Sequence, residues 1–270
     1  MASTDPAFLP RRMTSPREVA RLADGLAALV EQTVRGPLSF LSAECDGDLA
    51  ARARDAVTAF PALYERRPVL DNKGGSGFND SLWLYSLACM LAPERIVELG
   101  SFKGHSAWLF RQACPDAAID SFDVDTEQRV HDATGVRFHR GDWSESEIAA
   151  KPSERALLFL DDHISHARRL REAHARGFRT LLLDDNFPAD QLYATGGPPV
   201  PTLAMILDAS LTAPGEIAWT RNGKAYRCRV DPGELAAARN LIAQAVELPE
   251  LAPLTRYPLG SRLTLTKLVD

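Results

Sequence analysis

From residue 93 onward, five short aliphatic runs recur with helical patterning between them: RIVEL (95–99), AIDSFDV (118–124), VRFHRG (136–141), ALLFLDD (156–162) and TLLLDD (180–185). Strands separated by helices form βαβ units, and their near-continuous apolar character suits a parallel sheet covered on both faces. The fold class expected is therefore α/β, a doubly wound, Rossmann-like, mostly parallel sheet. Downstream, EIAWT and AYRCRV flank Arg221-Asn222-Gly223-Lys224, whose Asn-Gly marks a hairpin. A helix is expected over Asp231 to Val246, followed by RLTLTKLV (262–269) as an antiparallel C-terminal strand.

The first ninety residues read differently. Residues 1–15 form a loose tail rich in proline. Residues 16–92 form a helical N-terminal cap or lid, and residues 93–270 the sheet domain. Ser15-Pro16 opens a helix carrying Val19, Leu22, Leu26, Leu29, Val30 and Val34 at helical spacing and ending near Gly36. A second helix runs from Asp46 to about Tyr64 with an interruption at Pro61, and Ser81 to Ala92 is a core helix.

Composition sets the partner class. With 45% hydrophobic and 25% charged residues, the 270-residue chain is globular rather than fibrous or disordered. Its 31 basic and 36 acidic residues leave a charge of −5, so no nucleic acid is expected. The longest apolar stretch falls short of the roughly 20 residues a membrane span needs. No signal-type apolar run follows the N-terminal arginines, so a cytoplasmic location is expected. Cys45, Cys89, Cys114 and Cys228 are scattered without metal-type spacing and are expected as buried thiols.

Arg95 to Phe110, RIVELGSFKGHSAWLF, joins a strand ending near Glu98 to a loop with Gly100 and Gly104 and a helix starting near His105 or Ser106. A strand, a glycine turn and a helix N-terminus make a nucleotide-type site, because glycines permit close approach and the first helical N–H groups point at the ligand. The loop lacks the third glycine of G-x-G-x-x-G and the Gly-Lys-Ser/Thr end of a phosphate loop. Twenty-three residues after Gly100 stands Asp123, placed to accept from ribose hydroxyls, with Asp125 as its rival. Gly141-Asp142-Trp143 follows the third strand, and the flexible Gly74-Gly75-Ser76-Gly77-Phe78 stretch lies upstream.

VELGSFKGHSA resembles the first motif of class I S-adenosylmethionine-dependent methyltransferases, in the form found in small-molecule O-methyltransferases. The resemblance covers about residues 74–186. It implies that Glu98, Gly100, Ser101, Gly104 and Ser106 receive the methionine end of S-adenosylmethionine, that Asp123 binds the ribose, and that Asp142 and Trp143 meet the adenine. It also implies that Gly75 and Phe78 close over the cofactor. A homodimer is a further implication.

Two aspartate clusters end consecutive strands: Asp161-Asp162-His163 with His166, and Asp184-Asp185-Asn186. On neighbouring parallel strands both fall on the carboxyl edge with the glycine loop, and their oxygens suit Mg²⁺. The layout resembles metal-dependent O-methyltransferases of two kinds. The catechol pattern implies Asp161, Asp185 and Asn186 as ligands, and the macrocin and novobiocin sugar pattern implies Asp161, Asp184 and Asp185. The lysine of the catechol pattern is replaced here by Ile164, which leaves His163 as the base and His166 as fallback. The expected function is O-methylation of a phenolic or sugar hydroxyl of a small natural product with Mg²⁺ assistance. Metal-independent methyl transfer, a nicotinamide-dependent dehydrogenase and a non-catalytic binding protein are the alternatives.

Overall fold

The computed structural model describes residues 16–43, 48–258, 260 and 262–270. The tail expected over 1–15, the expected helix start at Asp46, and Cys45 lie outside the described residues. Three helices come first: α1 (Pro16–Arg35), α2 (Leu49–Glu65) and α3 (Phe78–Leu91). Asp48 caps α2, its carboxylate accepting from the N–H groups of Ala50 and Ala51 at 3.0 and 3.2 Å. The expected interruption at Pro61 does not occur, and the helix runs through it. A proline ring there costs about 3 kcal/mol. Burial of Val57, Phe60, Leu63 and Tyr64, at roughly 1.5–3 kcal/mol for each large apolar side chain, outweighs it.

The remaining elements are β1 (Arg95–Leu99), α4 (His105–Ala113), β2 (Ala118–Asp123), β3 (Val136–Arg140), β4 (Ala156–Leu160), α5 (His166–Ala175), β5 (Thr180–Leu183), α6 (Leu203–Leu207), β6 (Gly215–Arg221), β7 (Lys224–Val230), α7 (Pro232–Arg239), β8 (Ile242–Glu247), α8 (Ala252–Thr255) and β9 (Thr264–Leu268). Seven strands form one sheet in the order β3-β2-β1-β4-β5-β9-β8. The first five pair in parallel, and β9 runs antiparallel to both of its neighbours. The sheet is therefore Rossmann-like and mostly parallel, with an antiparallel C-terminal strand. β6 and β7 form the expected separate hairpin, closed at Asn222-Gly223, with Trp219 stacked on Tyr226 at 5.4 Å.

Alternate residues of each central strand enter different cores. Ile96, Leu157, Phe159 and Leu182 pack with the helices of residues 24–91 on one face. Val97, Leu158, Leu160, Leu181 and Leu183 pack with α5, α6 and α7 on the other. Burial on both faces is why these strands read as unbroken apolar runs. The helix expected over Asp231 to Val246 is corrected: α7 ends at Arg239, and residues 242–247 form the edge strand β8. Its alanines favour helix locally, but the exposed ladder of β9 offers hydrogen bonds, and Ile242, Ala245 and Val246 pack against the two cores. Cys114 and Cys228 are buried as expected, whereas Cys89 is only half-buried. Among the described residues no helix is long and apolar enough to cross a membrane.

Candidate active site

The sheet order reverses at β1, which lies between β2 and β4. The chain leaves these strands toward opposite directions of the sheet, and the crevice this opens at their carboxyl ends is where such sheets take ligands. The ladder bonds continue into it: Gly100 N–H donates to Phe122 O at 2.8 Å, Asp161 N–H to Leu99 O at 2.8 Å, and Asp184 N–H to Leu160 O at 2.9 Å. Gly100 has φ 99°, and a Cβ there would stand 2.2 Å from the Asp161 carbonyl oxygen. Gly104, at φ 87°, faces the His131 carbonyl at 2.1 Å in the same sense. Both glycines are thus required by backbone packing as well as by conformation.

A cavity of about 300 Å³ is lined by Gly74, Gly75, Gly100, Phe102, Asp123 and Asp142, among others. The Asp123 carboxylate accepts from Phe102 N–H at 2.7 Å and from Asp125 N–H at 2.9 Å, which fixes the loop and leaves oxygen lone pairs for a ligand. Asp125, the rival, does not line the cavity and caps Glu127 N–H at 3.0 Å. Asp142 meets Arg168 at 3.0 Å and Arg169 at 2.9 Å; against its partial burial, the Ser144 N–H and then Arg169 hold its carboxyl below the usual range. Trp143 lines the cavity, but its indole is fully buried, edge-on to Phe178 with Arg176 over its face.

Glu98, Ser101, Gly104 and Ser106 line neither this cavity nor the next, and all are buried. The β1–β2 register sets Glu98 opposite Ser121, whose hydroxyl donates to Glu98 Oε2. Glu98 Oε1 has no hydrogen-bond partner. Burial pushes this carboxyl up to about 7, against the pull of the Ser106 and Ser121 hydroxyls.

A second cavity, about 270 Å³, shares Gly74, Gly75, Asp161 and His163 with the first and adds Phe78, Asp80, Asp184, Asp185 and Tyr257. Phe78 stacks on Tyr257 at 4.3 Å, so it belongs to this compartment rather than to the first. Burial and then the charges of Asp184, Asp185, Glu98 and Asp80 hold the Asp161 carboxyl well above the carboxylate range. Asp185 is likewise raised by burial, partly offset by His163. Asp80, Phe102, Ser121 and Tyr257 were not found by sequence reasoning. Phe102 and Ser121 sit within the runs already singled out, whereas Asp80 and Tyr257 carry no local signal.

The metal candidates separate. Asn186 is buried away from both cavities, its Nδ2 donating to Thr264 Oγ1 at 2.8 Å and its Oδ1 accepting from Ala204 N–H at 2.6 Å. Asp161, Asp184 and Asp185 border one cavity. Among the described residues no group of three or more His, Cys, Asp and Glu side chains is drawn close enough to hold a metal ion as it stands. In kind the donors suit one: Asp161, Asp184 and Asp185 are oxygen ligands lining one cavity, and the charge repulsion that raises Asp161 is what a hard cation relieves.

The histidines separate as well. His166 is buried, with Nδ1 accepting from Leu203 N–H at 3.0 Å and a second hydrogen bond to the Asp184 backbone. Burial pushes it down to about 3, so it is a neutral strut between α5 and α6 and is unsuited to the fallback base role. His163 is half exposed, with φ 57°, and its Nδ1 lies 2.7 Å from Gly197 O and 3.5 Å from Asp185 Oδ2. A further cavity of about 740 Å³ lies at the amino edge of the sheet among Ala156, Thr180 and Lys267, away from all of these groups.

No protein-family model matches the chain, and no curated protein does. Among solved structures it is similar to CmcI with Mg and SAM (16% identity over 71% of this chain and 72% of that one, TM-score 0.41). Another CmcI chain, with SAH, is covered over 63% of its length. It is also similar to the N-terminal domain of EvdMO1 in the presence of SAH and D-fucose (16% identity, 69% and 83%, TM-score 0.43). The O-methyltransferase from Bacillus cereus with SAH is a third (10% identity, 92% and 100%, TM-score 0.43).

Proposed function

We propose that the chain is an S-adenosylmethionine-dependent O-methyltransferase acting on a hydroxyl of a small molecule. The observation that carries this reading is the pair of joined cavities. One is built from the glycine loop and Asp123, the other from Asp161, Asp184, Asp185 and His163, and they share the wall formed by Gly74, Gly75, Asp161 and His163.

In the reaction the acceptor oxygen bonds the methyl carbon, the carbon–sulfur bond breaks, and the hydroxyl proton must leave. Asp123 and the backbone of the glycine loop orient the cofactor. The Gly197 carbonyl can only accept, so His163 Nδ1 carries the hydrogen, and in the neutral imidazole this leaves the Nε2 lone pair to take the acceptor's proton. Asp161, Asp184 and Asp185 would hold the divalent cation; bound there, Mg²⁺ lowers the proton affinity of the acceptor hydroxyl as a Lewis acid. The four cavity carboxylates, with no Lys or Arg among the described residues lining the second cavity, favour a neutral or cationic acceptor. A phenolic or sugar hydroxyl of a natural product satisfies this.

The deciding experiment is thermal shift of the purified protein with S-adenosylhomocysteine or with NAD, each with Mg²⁺ and with chelator. Stabilisation by S-adenosylhomocysteine alone of the two is expected; stabilisation only by NAD would replace this reading with a dehydrogenase. A response that ignores the chelator would leave methyl transfer and remove the metal.

A further inference from the structure

The β6–β7 hairpin stands apart from the main sheet, and its register sorts its side chains by face. Directly opposed residues of an antiparallel pair share a face, as do residues two apart along each strand. Ile217, Trp219 and Arg221 of β6 therefore share one face with Cys228, Tyr226 and Lys224 of β7. One end of that face is fixed: Cys228 is buried in the core shared with α5, α6 and α7, and Ile217 and Trp219 pack against it. Trp219 in turn stacks on Tyr226. A two-stranded hairpin alone is marginal in water, and this anchorage lets it support another segment.

The segment it meets is 189–201. Tyr226 Oη donates to Gly196 O at 2.9 Å, and Arg221 Nη1 donates to Tyr193 O at 3.0 Å. On its other side the same stretch meets the site: Thr195 Oγ1 donates to Asp185 Oδ2 at 3.2 Å, and Gly197 O lies 2.7 Å from His163 Nδ1. Of two consecutive carbonyls, one is held by the hairpin and the next holds the base. A Cβ on Gly196 or Gly197 would meet nothing within 4 Å, so at these two residues hydrogen bonds, and not side-chain packing, fix the backbone. Arg221 also reaches Asp185 through its charge: burial raises that carboxyl, and His163, Thr195 and then Arg221 pull it back.

The geometry points to Tyr226 and Arg221 as positioning residues: the hairpin fixes the 193–197 stretch, whose Gly197 carbonyl fixes the orientation and tautomer of His163. Neither residue lines either cavity of the site, so both act through the backbone. The inference rests on the reading of His163 as the base and deepens it. Nε2 is free to accept only while the ring hydrogen sits on Nδ1, and the partner of Nδ1 decides this. Asp185 Oδ2, at 3.5 Å, is too distant to hold that hydrogen as well as the carbonyl does, and it is tied through Thr195 to the same stretch.

The test is spectroscopic and uses the full chain without cofactor or acceptor. Long-range proton–nitrogen correlation spectra of the histidine rings are recorded at about pH 8, above the ordinary imidazole range, and His163→Ala identifies the His163 signals by their loss. The wild type is expected to show His163 with its hydrogen on Nδ1. Tyr226→Phe keeps the ring and removes the hydroxyl, and Arg221→Met removes the guanidinium. Each is expected to move the tautomer ratio toward Nε2–H by about twofold or more, as for loss of one hydrogen bond. Each should also speed hydrogen exchange over 193–197 while 215–230 exchanges as before, and Arg221→Lys should recover part of both effects. An unchanged ratio in either variant would overturn the inference for that residue. A wild type already carrying the hydrogen on Nε2, or exchange that quickens equally in the hairpin, would overturn it altogether. Should Tyr226→Phe fail to fold, Arg221→Met decides. Failure of the methyltransferase reading shows separately, as a wild type that does not bind S-adenosylhomocysteine, and leaves these readouts intact.

Discussion

His163 and Asp185, at the ends of successive parallel strands, both adopt left-handed backbone conformations, φ 57° and 51°, and bring Nδ1 to 3.5 Å from Oδ2. Such conformations each cost on the order of 1 kcal/mol or more and persist where surrounding structure enforces them. Here Thr195 Oγ1 donates to Asp185 at 3.2 Å and Gly197 O receives His163, so the 189–201 segment clamps both. Removing the base is therefore expected to affect the proton step and not the cofactor. His163→Ala should lower turnover by roughly 10²-fold or more with the S-adenosylhomocysteine Kd unchanged. Undiminished turnover would remove His163 from the chemistry.

The two aspartate patterns predict different outcomes. Asp185→Asn and Asp184→Asn should abolish stabilisation by Mn²⁺ in thermal melts, because each contributes a carboxylate to the shared cavity. Asn186→Ala should keep the Mn²⁺ response yet lose about 1–3 kcal/mol of stability, since Thr264 Oγ1 and Ala204 N–H lose buried partners. A Mn²⁺ response lost only in Asn186→Ala would restore the catechol-type ligand set.

Gly100 offers a backbone test with an internal control. Gly100→Ala drives a Cβ against the Asp161 carbonyl at 2.2 Å, whereas Gly223→Ala, at φ 74°, meets nothing within 4 Å. The hairpin substitution is expected to cost about 1–2 kcal/mol from conformation alone. Gly100→Ala should cost distinctly more and weaken S-adenosylhomocysteine binding. Equal urea midpoints for the two variants would show that the close approach is unimportant.

Glu98 gives a pH dependence. Its carboxyl stands at about 7 in the folded chain against 4.5 when free, so the native state binds this proton more tightly than the unfolded state. The stability this provides is complete below the free value and is lost as pH rises through 7, on the order of 3 kcal/mol for the single group. In Glu98→Gln that part of the decline should vanish. Urea midpoints compared between pH 5 and 8 check it; parallel curves for the two proteins would exclude a titrating Glu98.

The parallel sheet was legible because double-sided burial imprints runs such as ALLFL and TLLL on the sequence, and the hairpin because Asn-Gly meets a specific turn geometry. The glycine loop was legible for the same reason: its two glycines answer steric demands that few other residues satisfy. By contrast, Pro61 inside α2 and the strand at 242–247 were decided by tertiary partners, a buried helix face and the open edge of β9, which override local preference. The site follows the same division. The sequence determined that acids would collect at the carboxyl ends of β4 and β5, because strand ends fix where the backbone emerges. Only the tertiary structure decided that Asp184 faces the cavity while Asn186 bonds Thr264, that His166 is a buried strut while His163 reaches solvent, and that Asp80 and Tyr257 join them. Those outcomes depend on which way each side chain turns and on contacts between residues more than thirty positions apart, and neither leaves a local pattern to read.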